Sequence, residues 1–285
     1  MMTPEKPTLS SSISEPQANA CNETLWQQLV NEVSVTARHE PVLAGFLHST
    51  ILNHNNLAAA LSFHLANKLH SDITPALLVR EVFDDAFASD PGIIDSARCD
   101  IIAIYERDSA SHDYSTPFLY YKGFHALTAY RVAHWLWHNQ RRPLALVLQN
   151  RISMVLGVDI HPAAQIGKGI MFDHATGLVI GETAVIEDCV SILQSVTLGG
   201  TGKECGDRHP KVRRGVLIGP GAKVLGNIEI GEGSKIAAAS VVLKDVPPHS
   251  IVAGVPAKIV GSTNADDPAE KMDHGLEGCG TNSSD

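Results

Sequence analysis

Ile160-His161-Pro162-Ala163-Ala164-Gln165-Ile166-Gly167-Lys168-Gly169-Ile170-Met171-Phe172 places a large apolar residue at every sixth position, and the same beat runs through the C-terminal half of the chain. It starts on Ile160, Ile166 and Phe172, resumes on Ile180, Ile186, Ile192 and Leu198, and resumes again on Ile218, Val224, Ile230, Ile236 and Val242. A period of six fits neither an amphipathic helix nor the alternation of a hairpin. It fits a solenoid in which each hexad is a short strand and a sharp turn, so that three hexads close a triangular coil with the aliphatic side chains inside. Gly167, Gly181, Gly219, Gly231 and Asp188 stand where the turns need tolerant backbone. The twelve starts predict about four coils, a prism roughly 20 Å tall.

The beat slips twice, and each slip holds a histidine. Phe172 to Ile180 is two residues too long, within Asp173-His174-Ala175-Thr176-Gly177. Leu198 to Ile218 is fourteen too long, which predicts a polar loop from Gly199 to Lys211 containing Arg208-His209. Loops on a rigid scaffold are where chemistry concentrates. Asp159 opens the solenoid fifteen residues before His174, and at about eighteen residues per coil it is expected one layer below that imidazole. A carboxylate that orients a histidine makes a general base. No serine or cysteine has an equal claim as nucleophile.

Asp159-Ile-His-Pro-Ala-Ala164, Asp173-His-Ala-Thr-Gly177, Gly181-Glu-Thr-Ala-Val-Ile-Glu187, Gly199-Gly-Thr-Gly-Lys203 and Gly206-Asp-Arg-His-Pro-Lys211 together resemble the serine O-acetyltransferases. Tyr114-Ser-Thr-Pro117, Lys122-Gly-Phe-His-Ala-Leu127, His134-Trp-Leu-Trp137 and the closing Ala253-Gly-Val-Pro-Ala-Lys-Ile-Val-Gly261 extend the resemblance over about Glu23 to Gly261. It implies an α+β chain in which an N-terminal all-helical domain precedes a C-terminal left-handed parallel β-helix. The implied activity is transfer of the acetyl group of acetyl-CoA to L-serine, in the cysteine-forming route, with feedback by L-cysteine.

Carried over by position, the resemblance makes His174 the base and Asp159 its orienting acid. Arg208 and His209 would hold the serine carboxylate, and Asp173 and Asp108 its ammonium. Gly199 and Gly200 would offer backbone N–H groups to the thioester oxygen, and Ala238, Lys244 and Lys258 would meet CoA. One departure falls at Asp108-Ser109, where the family pattern has Asp-Pro. The resemblance also implies a homotrimer or a dimer of trimers, and a C-terminal tail that binds O-acetylserine sulfhydrylase through a terminal isoleucine. This chain ends Asn282-Ser283-Ser284-Asp285, so that complex is not expected in its usual form.

Outside the beat, the sequence divides simply. Residues 1–22 are rich in Ser, Thr, Pro and Gln and are expected to be an unstructured tail rather than a signal peptide. From 23 to 157, aliphatics at helical spacing (Leu25, Leu29, Val33; Leu57, Leu61, Leu65, Leu69) and prolines at 41, 75, 91, 117 and 143 predict six or seven helices. The solenoid takes 158–261, and 262–285 is expected to be a flexible tail. A formal net charge of −9 and a pI near 5.8 argue against nucleic acid. No apolar run approaches a membrane span. The five cysteines lack a C-x-x-C pair and, without an export signal, predict reduced thiols and a cytoplasmic protein.

Three rival readings stand beside this one. A zinc hydratase on the same coil would need a His-x4-His pair, but His161, His174 and His209 are 13 and 35 residues apart, so no metal site is expected. An inert scaffold would not need Asp159, His174, Arg208 and His209 together. A sugar acceptor is disfavoured by the Arg208 and Asp173 pair, which suits a zwitterion.

Overall fold

Leu25, Leu29 and Val33 are buried along one stripe of the first helix, as their spacing predicts. The structure, a computed structural model, describes residues 15–202, 205–263, 268–272, 274 and 275, with side chains from residue 24 onward. Helix α1 (Glu15–His39) leads to a 3₁₀ turn (Pro41–Leu43), α2 (Ala44–Leu47) and a π turn (His48–Leu52). There follow α3 (Leu57–Leu69), α4 (Ala76–Ser89), α5 (Gly92–Arg107), α6 (Ser115–Tyr120), α7 (Lys122–His138) and α8 (Arg142–Leu156).

The start of α1 corrects the expected tail: residues 15–22 are helical. Pro16 falls in the first turn, where a helix has no use for its N–H, and Gln, Ala and Glu then favour continuation. Pro75, Pro91 and Pro143 stand at helix starts as expected. Gly157, left-handed at φ 67°, ends α8 and turns the chain into the solenoid.

The solenoid strands alternate among three parallel sheets. Sheet A holds β1 (Val158–Ile160), β4 (Leu178–Ile180), β7 (Thr197–Gly199), β10 (Lys223–Leu225) and β13 (Val241–Val242). Sheet B holds β2 (Gln165–Ile166), β5 (Val185–Ile186), β8 (Lys211–Val212) and β11 (Glu229–Ile230). Sheet C holds β3 (Met171–Phe172), β6 (Ser191–Ile192), β9 (Leu217–Ile218), β12 (Lys235–Ile236) and β14 (Ser250–Gly254), with β15 (Ala257–Ser262) antiparallel at its end. This is the left-handed parallel β-helix of hexapeptide repeats that the resemblance implies.

The number of coils needs correction. Val212 is fully buried in register with Ile186 and Ile230, so Lys211-Val212 is a strand and the inserted loop exceeds the beat by fewer residues than the sequence reading gave. Val246, bridged to Ile230, and Val252 carry the beat past Val242 and fill a fifth layer. Each interior aliphatic contributes about 1.5–3 kcal/mol relative to exposure, which keeps a column of two- and three-residue strands in register.

The three faces are not equivalent. On sheet C even the outward residues Met171, Ser191, Leu217, Lys235 and Ile251 are buried. Helices α5 and α7 pack on β3, and the chain after β15 returns as α9 (Pro268–Lys271). Ser191 Oγ donates to the Ala269 carbonyl at 3.0 Å, and Lys235 Nζ donates to that of Gly275. Part of the expected flexible tail is therefore docked, because Pro268 and Ala269 find an apolar seat. The last ten residues lie outside the described residues. Sheets A and B keep partly exposed outer residues such as Asp159, Val179 and Lys223 on A and Gln165 and Glu229 on B.

Candidate active site

His174 stands at the corner where the chain passes from sheet C to sheet A, in the first slip. The two extra residues are absorbed by two successive left-handed residues, His174 at φ 54° and Ala175 at φ 58°. Such backbone costs about 1–3 kcal/mol per non-glycine residue. It is held by Asp173 N–H on the Ile192 carbonyl (2.9 Å), Thr176 N–H on that of His174 (2.8 Å) and Gly177 N–H on that of Gly157 (2.8 Å).

The helical half closes over this corner. Gly123 at the start of α7 lies so near the Phe172 carbonyl that a Cβ would come within 2.0 Å of its oxygen, so only glycine lets the helix reach the strand that carries Asp173 and His174. Asp108, Tyr121, Lys122, Asp173 and His174 line one cavity of about 560 Å³. His174 Nε2 is 3.8 Å from Asp173 Oδ1, and the His174 side chain is 72% exposed. Burial pushes the Asp173 carboxyl above its ordinary value, His174 pulls it back, and Asp108 raises it further.

Arg208 and His209 stand at another corner, between sheets A and B. The Arg208 and His209 N–H groups both donate to Thr183 Oγ1, at 3.0 and 3.1 Å, which ties the end of the inserted loop to the coil below. His209 is buried, and its Nδ1 accepts from Thr183 N–H at 3.2 Å, which leaves the proton on Nε2. Burial, then the Arg208 charge, hold its pKa below the usual value, so the ring is neutral. Arg208 Nη2 donates to Glu182 Oε2 at 2.6 Å, and that bond holds Glu182 below the usual carboxylate range. His161 lies close to Asp159, Glu182 and Arg208, and burial lowers its pKa.

The expected pairing of Asp159 with His174 is not made within one chain. Asp159 Oδ1 accepts from Gln149 Nε2 at 2.8 Å. The first coil is twenty residues long, so Val179 lies directly over Asp159 while His174 sits back at the corner. Asp108, Asp173 and His174 are thus together. Asp159, Arg208 and His209 belong to the other edge of sheet A. Gly199 and Gly200 are on that second side: Gly199 ends β7, and a Cβ on Gly200 would stand 3.3 Å from the Arg208 carbonyl. Of the CoA candidates, Ala238 is at the same corner as His174, three coils on. Lys258 of β15 pairs with Ala253 of β14, and Lys244 follows β13 at the far edge of sheet A. All three are exposed.

Sequence reasoning gave no role to Glu182, Thr183, His161, Gln149 or Tyr121. The stretch 181–187 carried a signal, since a twenty-residue first coil puts Gly181 and Glu182 above His161 and Pro162. Gln149 and Tyr121 carried none, because they come from the helical half, Gln149 from α8 and Tyr121 from the joint between α6 and α7. Among the described residues no cluster of three or more His, Cys, Asp or Glu side chains is arranged to hold a metal ion.

Two family models match: "Serine acetyltransferase, N-terminal" over residues 25–129 and "Bacterial transferase hexapeptide (six repeats)" over 209–244. The serine acetyltransferase of Salmonella typhimurium is 61% identical over 256 residues, covering 90% of this chain and 94% of that protein. A serine acetyltransferase solved in complex with cysteine has a TM-score of 0.88 at 58% identity, with 90% of this chain and 99% of that one covered. Another, solved in complex with CoA, has a TM-score of 0.81 at 59% identity, with 84% and 100% covered.

Proposed function

Since this chain belongs to the serine acetyltransferase family, we propose that its reaction runs at a site built from both corners, each supplied by a different copy. The protein transfers the acetyl group of acetyl-CoA to the hydroxyl of L-serine, giving O-acetyl-L-serine and CoA. Acetyl-CoA is a cosubstrate rather than a resident cofactor.

One observation carries the assembly. The groups that suit the two ends of an amino-acid zwitterion are divided between opposite edges of sheet A in a single chain. Asp108 and Asp173 suit the ammonium, and Arg208 and His209 suit the carboxylate. With sheet C covered by the chain's own helices, sheets A and B remain for neighbours, and an A-to-B contact between different faces closes a ring. A homotrimer, alone or joined to a second trimer through the helical halves, brings the two edges together.

In that site His174 takes the proton of the serine hydroxyl as its oxygen attacks the thioester carbon. The C–O bond forms, the oxyanion is received by N–H groups near Gly199 and Gly200, and collapse breaks the C–S bond. The departing sulfur takes the proton from His174. Asp159 of the neighbouring copy orients the imidazole, and Ala238, Lys244 and Lys258 receive CoA. A general base of this kind contributes about 10²–10⁴-fold.

The test is subunit complementation. His174→Ala and Arg208→Ala proteins are each expected to lose thiol release from acetyl-CoA plus serine by about a hundredfold or more. Refolding them together in equal amounts should restore about a quarter of native activity, because about one ordered contact in four then joins two intact halves. No recovery on mixing, with the oligomer formed, would place the whole site in one chain.

L-Cysteine differs from serine by one atom and is read as occupying the same Arg208 and Asp173 contacts; the related enzyme solved with cysteine supports this. It is expected to raise the apparent KM for serine, and an unchanged KM in its presence would count against that contact. The cytoplasmic setting is likewise a reading. It is supported by the free thiols of Cys99, Cys189 and Cys205, while no described helix is long and apolar enough to cross a membrane. A contact with the sulfhydrylase through the C-terminus falls outside the described residues.

A further inference from the structure

The corner that carries His174 has a regular form in the later coils, which pass from sheet C to sheet A on one left-handed residue each: Ser195, Gly221 and Ala239. Their N–H groups donate to the carbonyls of Thr176, Gln194 and Pro220 in the coil below, which makes Gly177 the first member of the column. His174 and Ala175 are extra to it. Ala175 N–H donates to the Asp173 carbonyl at 2.5 Å, and Thr176 N–H to that of His174 at 2.8 Å. Each of these bonds closes a three-residue turn whose central residue, His174 and then Ala175, is left-handed. Turns of that kind are strained and persist only where the surroundings over-determine them. Both bonds lie inside the insertion, so they do not fix it against the rest of the molecule.

The first turn of α7 does so from both sides. Gly123 abuts the Phe172 carbonyl, just before the insertion. Lys122 Nζ donates to Thr176 Oγ1, just after it. Thr176 is in turn tied to the next coil, since its carbonyl accepts from Ser195 N–H at 2.8 Å. Asp173 is anchored separately, by its N–H on the Ile192 carbonyl. Neighbouring residues of one helix thus clamp the segment from Asp173 to Thr176 at its two ends, with His174 between them. Lys122, Asp173 and His174 line the same cavity.

We propose that Lys122 is a positioning residue for the general base: its hydrogen bond to Thr176 holds the insertion in the conformation that presents His174 to the cavity. The proposal rests on the reading of His174 as that base. Lys122 touches no reacting atom in this role. An ammonium suits it, because a hydrogen bond from a charged donor is roughly twice as strong as one between neutral groups, and the threonine hydroxyl has lone pairs to receive it. Precision matters here, since a reacting group misplaced by about 1 Å can cost about a hundredfold in rate.

The experiment measures kcat and the KM of each substrate in the full-length protein with Lys122→Met, Thr176→Val, the two together, Thr176→Ser, His174→Ala, and His174→Ala/Lys122→Met. Loss of a hydrogen bond from a charged group predicts about a tenfold fall in kcat for Lys122→Met and for Thr176→Val, with both KM values and the thermal midpoint little changed. The double variant should fall no further than either single one, because both remove the same bond. Thr176→Ser keeps the acceptor oxygen and should keep kcat. With His174 already replaced, Lys122→Met should leave the residual turnover as it is. An unchanged kcat in Lys122→Met, a rise in serine KM in place of a fall in kcat, additive losses in the double variant, a loss in Thr176→Ser equal to that in Thr176→Val, or a further loss on the His174→Ala background would each overturn the proposal. His174→Ala by itself tests the premise: full turnover there ends the assignment of the base, whereas a loss there beside an unchanged Lys122→Met ends this proposal alone.

Discussion

Single residues at the two corners are set by contacts that leave little room. Gly181 lies under the His209 imidazole, and a Cβ there would come within 2.0 Å of Cδ2 and 2.1 Å of Nε2. The ring is also held from behind by Thr183, whose hydroxyl lies 2.9 Å from its Nδ1, so it cannot retreat without losing that bond. With His209 in its proposed role at the serine carboxylate, Gly181→Ala is expected to raise serine KM about tenfold or more, since displacement would break that hydrogen bond to a charged group. The acetyl-CoA KM should change little. Steady-state kinetics with each substrate varied in turn checks this, and equal effects on both would show that the damage is not local to His209.

At the scale of elements, α3, α6 and α7 are locked by a pair of buried histidines. His125 Nε2 donates to the Phe118 carbonyl at 2.7 Å and His64 Nε2 to that of Leu119 at 3.2 Å, with the two rings edge to face. Both acceptors belong to α6, three residues or fewer before the Tyr121 joint. Burial is the main cause that lowers both: His64 to about 4, and His125 well below the usual value. In the unfolded chain each titrates near 6.5. The unfolded state thus binds more protons between about pH 6.5 and 4, so the stability these residues give is full above about 6.5 and is lost as pH falls. Urea unfolding at pH 7, 6 and 5 should show it, by up to about 1.4 kcal/mol per pH unit for each histidine. His125→Gln should flatten the slope, and a slope unchanged by that substitution would assign the acid sensitivity elsewhere.

At the scale of the whole molecule, the two halves are joined by polar bonds into the first coil. Asp100 of α5 accepts from Ile170 N–H at 2.8 Å and from Arg131 Nη2 at 2.7 Å, and Arg131 in turn donates to the Ile166 carbonyl at 3.2 Å. Tyr130 donates to the Ala164 carbonyl, and His134 Nδ1 to that of Pro162 at 2.8 Å. Asp100 is fully buried, and burial pushes its carboxyl up against the pull of Arg131. Asp100→Ala would leave the Arg131 guanidinium buried without its counter-charge, and should cost about 3–5 kcal/mol. Denaturant unfolding measures that cost; a loss below about 1 kcal/mol would mean that the pair contributes little to the junction.

The sequence alone determined the solenoid, because whether a side chain points in or out of a coil is a local property of a six-residue repeat. It also singled out His174, Arg208 and His209, which stand where that repeat breaks. The missed fifth layer was legible only in part: Val212 hides its beat beside a loop, and Val246 meets its neighbour by a single bridge. Which residues share a pocket was decided by the tertiary structure. The two-residue slip lengthens the first coil and carries His174 away from Asp159, and the helices then bring Tyr121 and Asp108 to it from elsewhere in the chain. Such placements depend on rotation accumulated around the prism and on which face the helices cover, and no local pattern of residues records either.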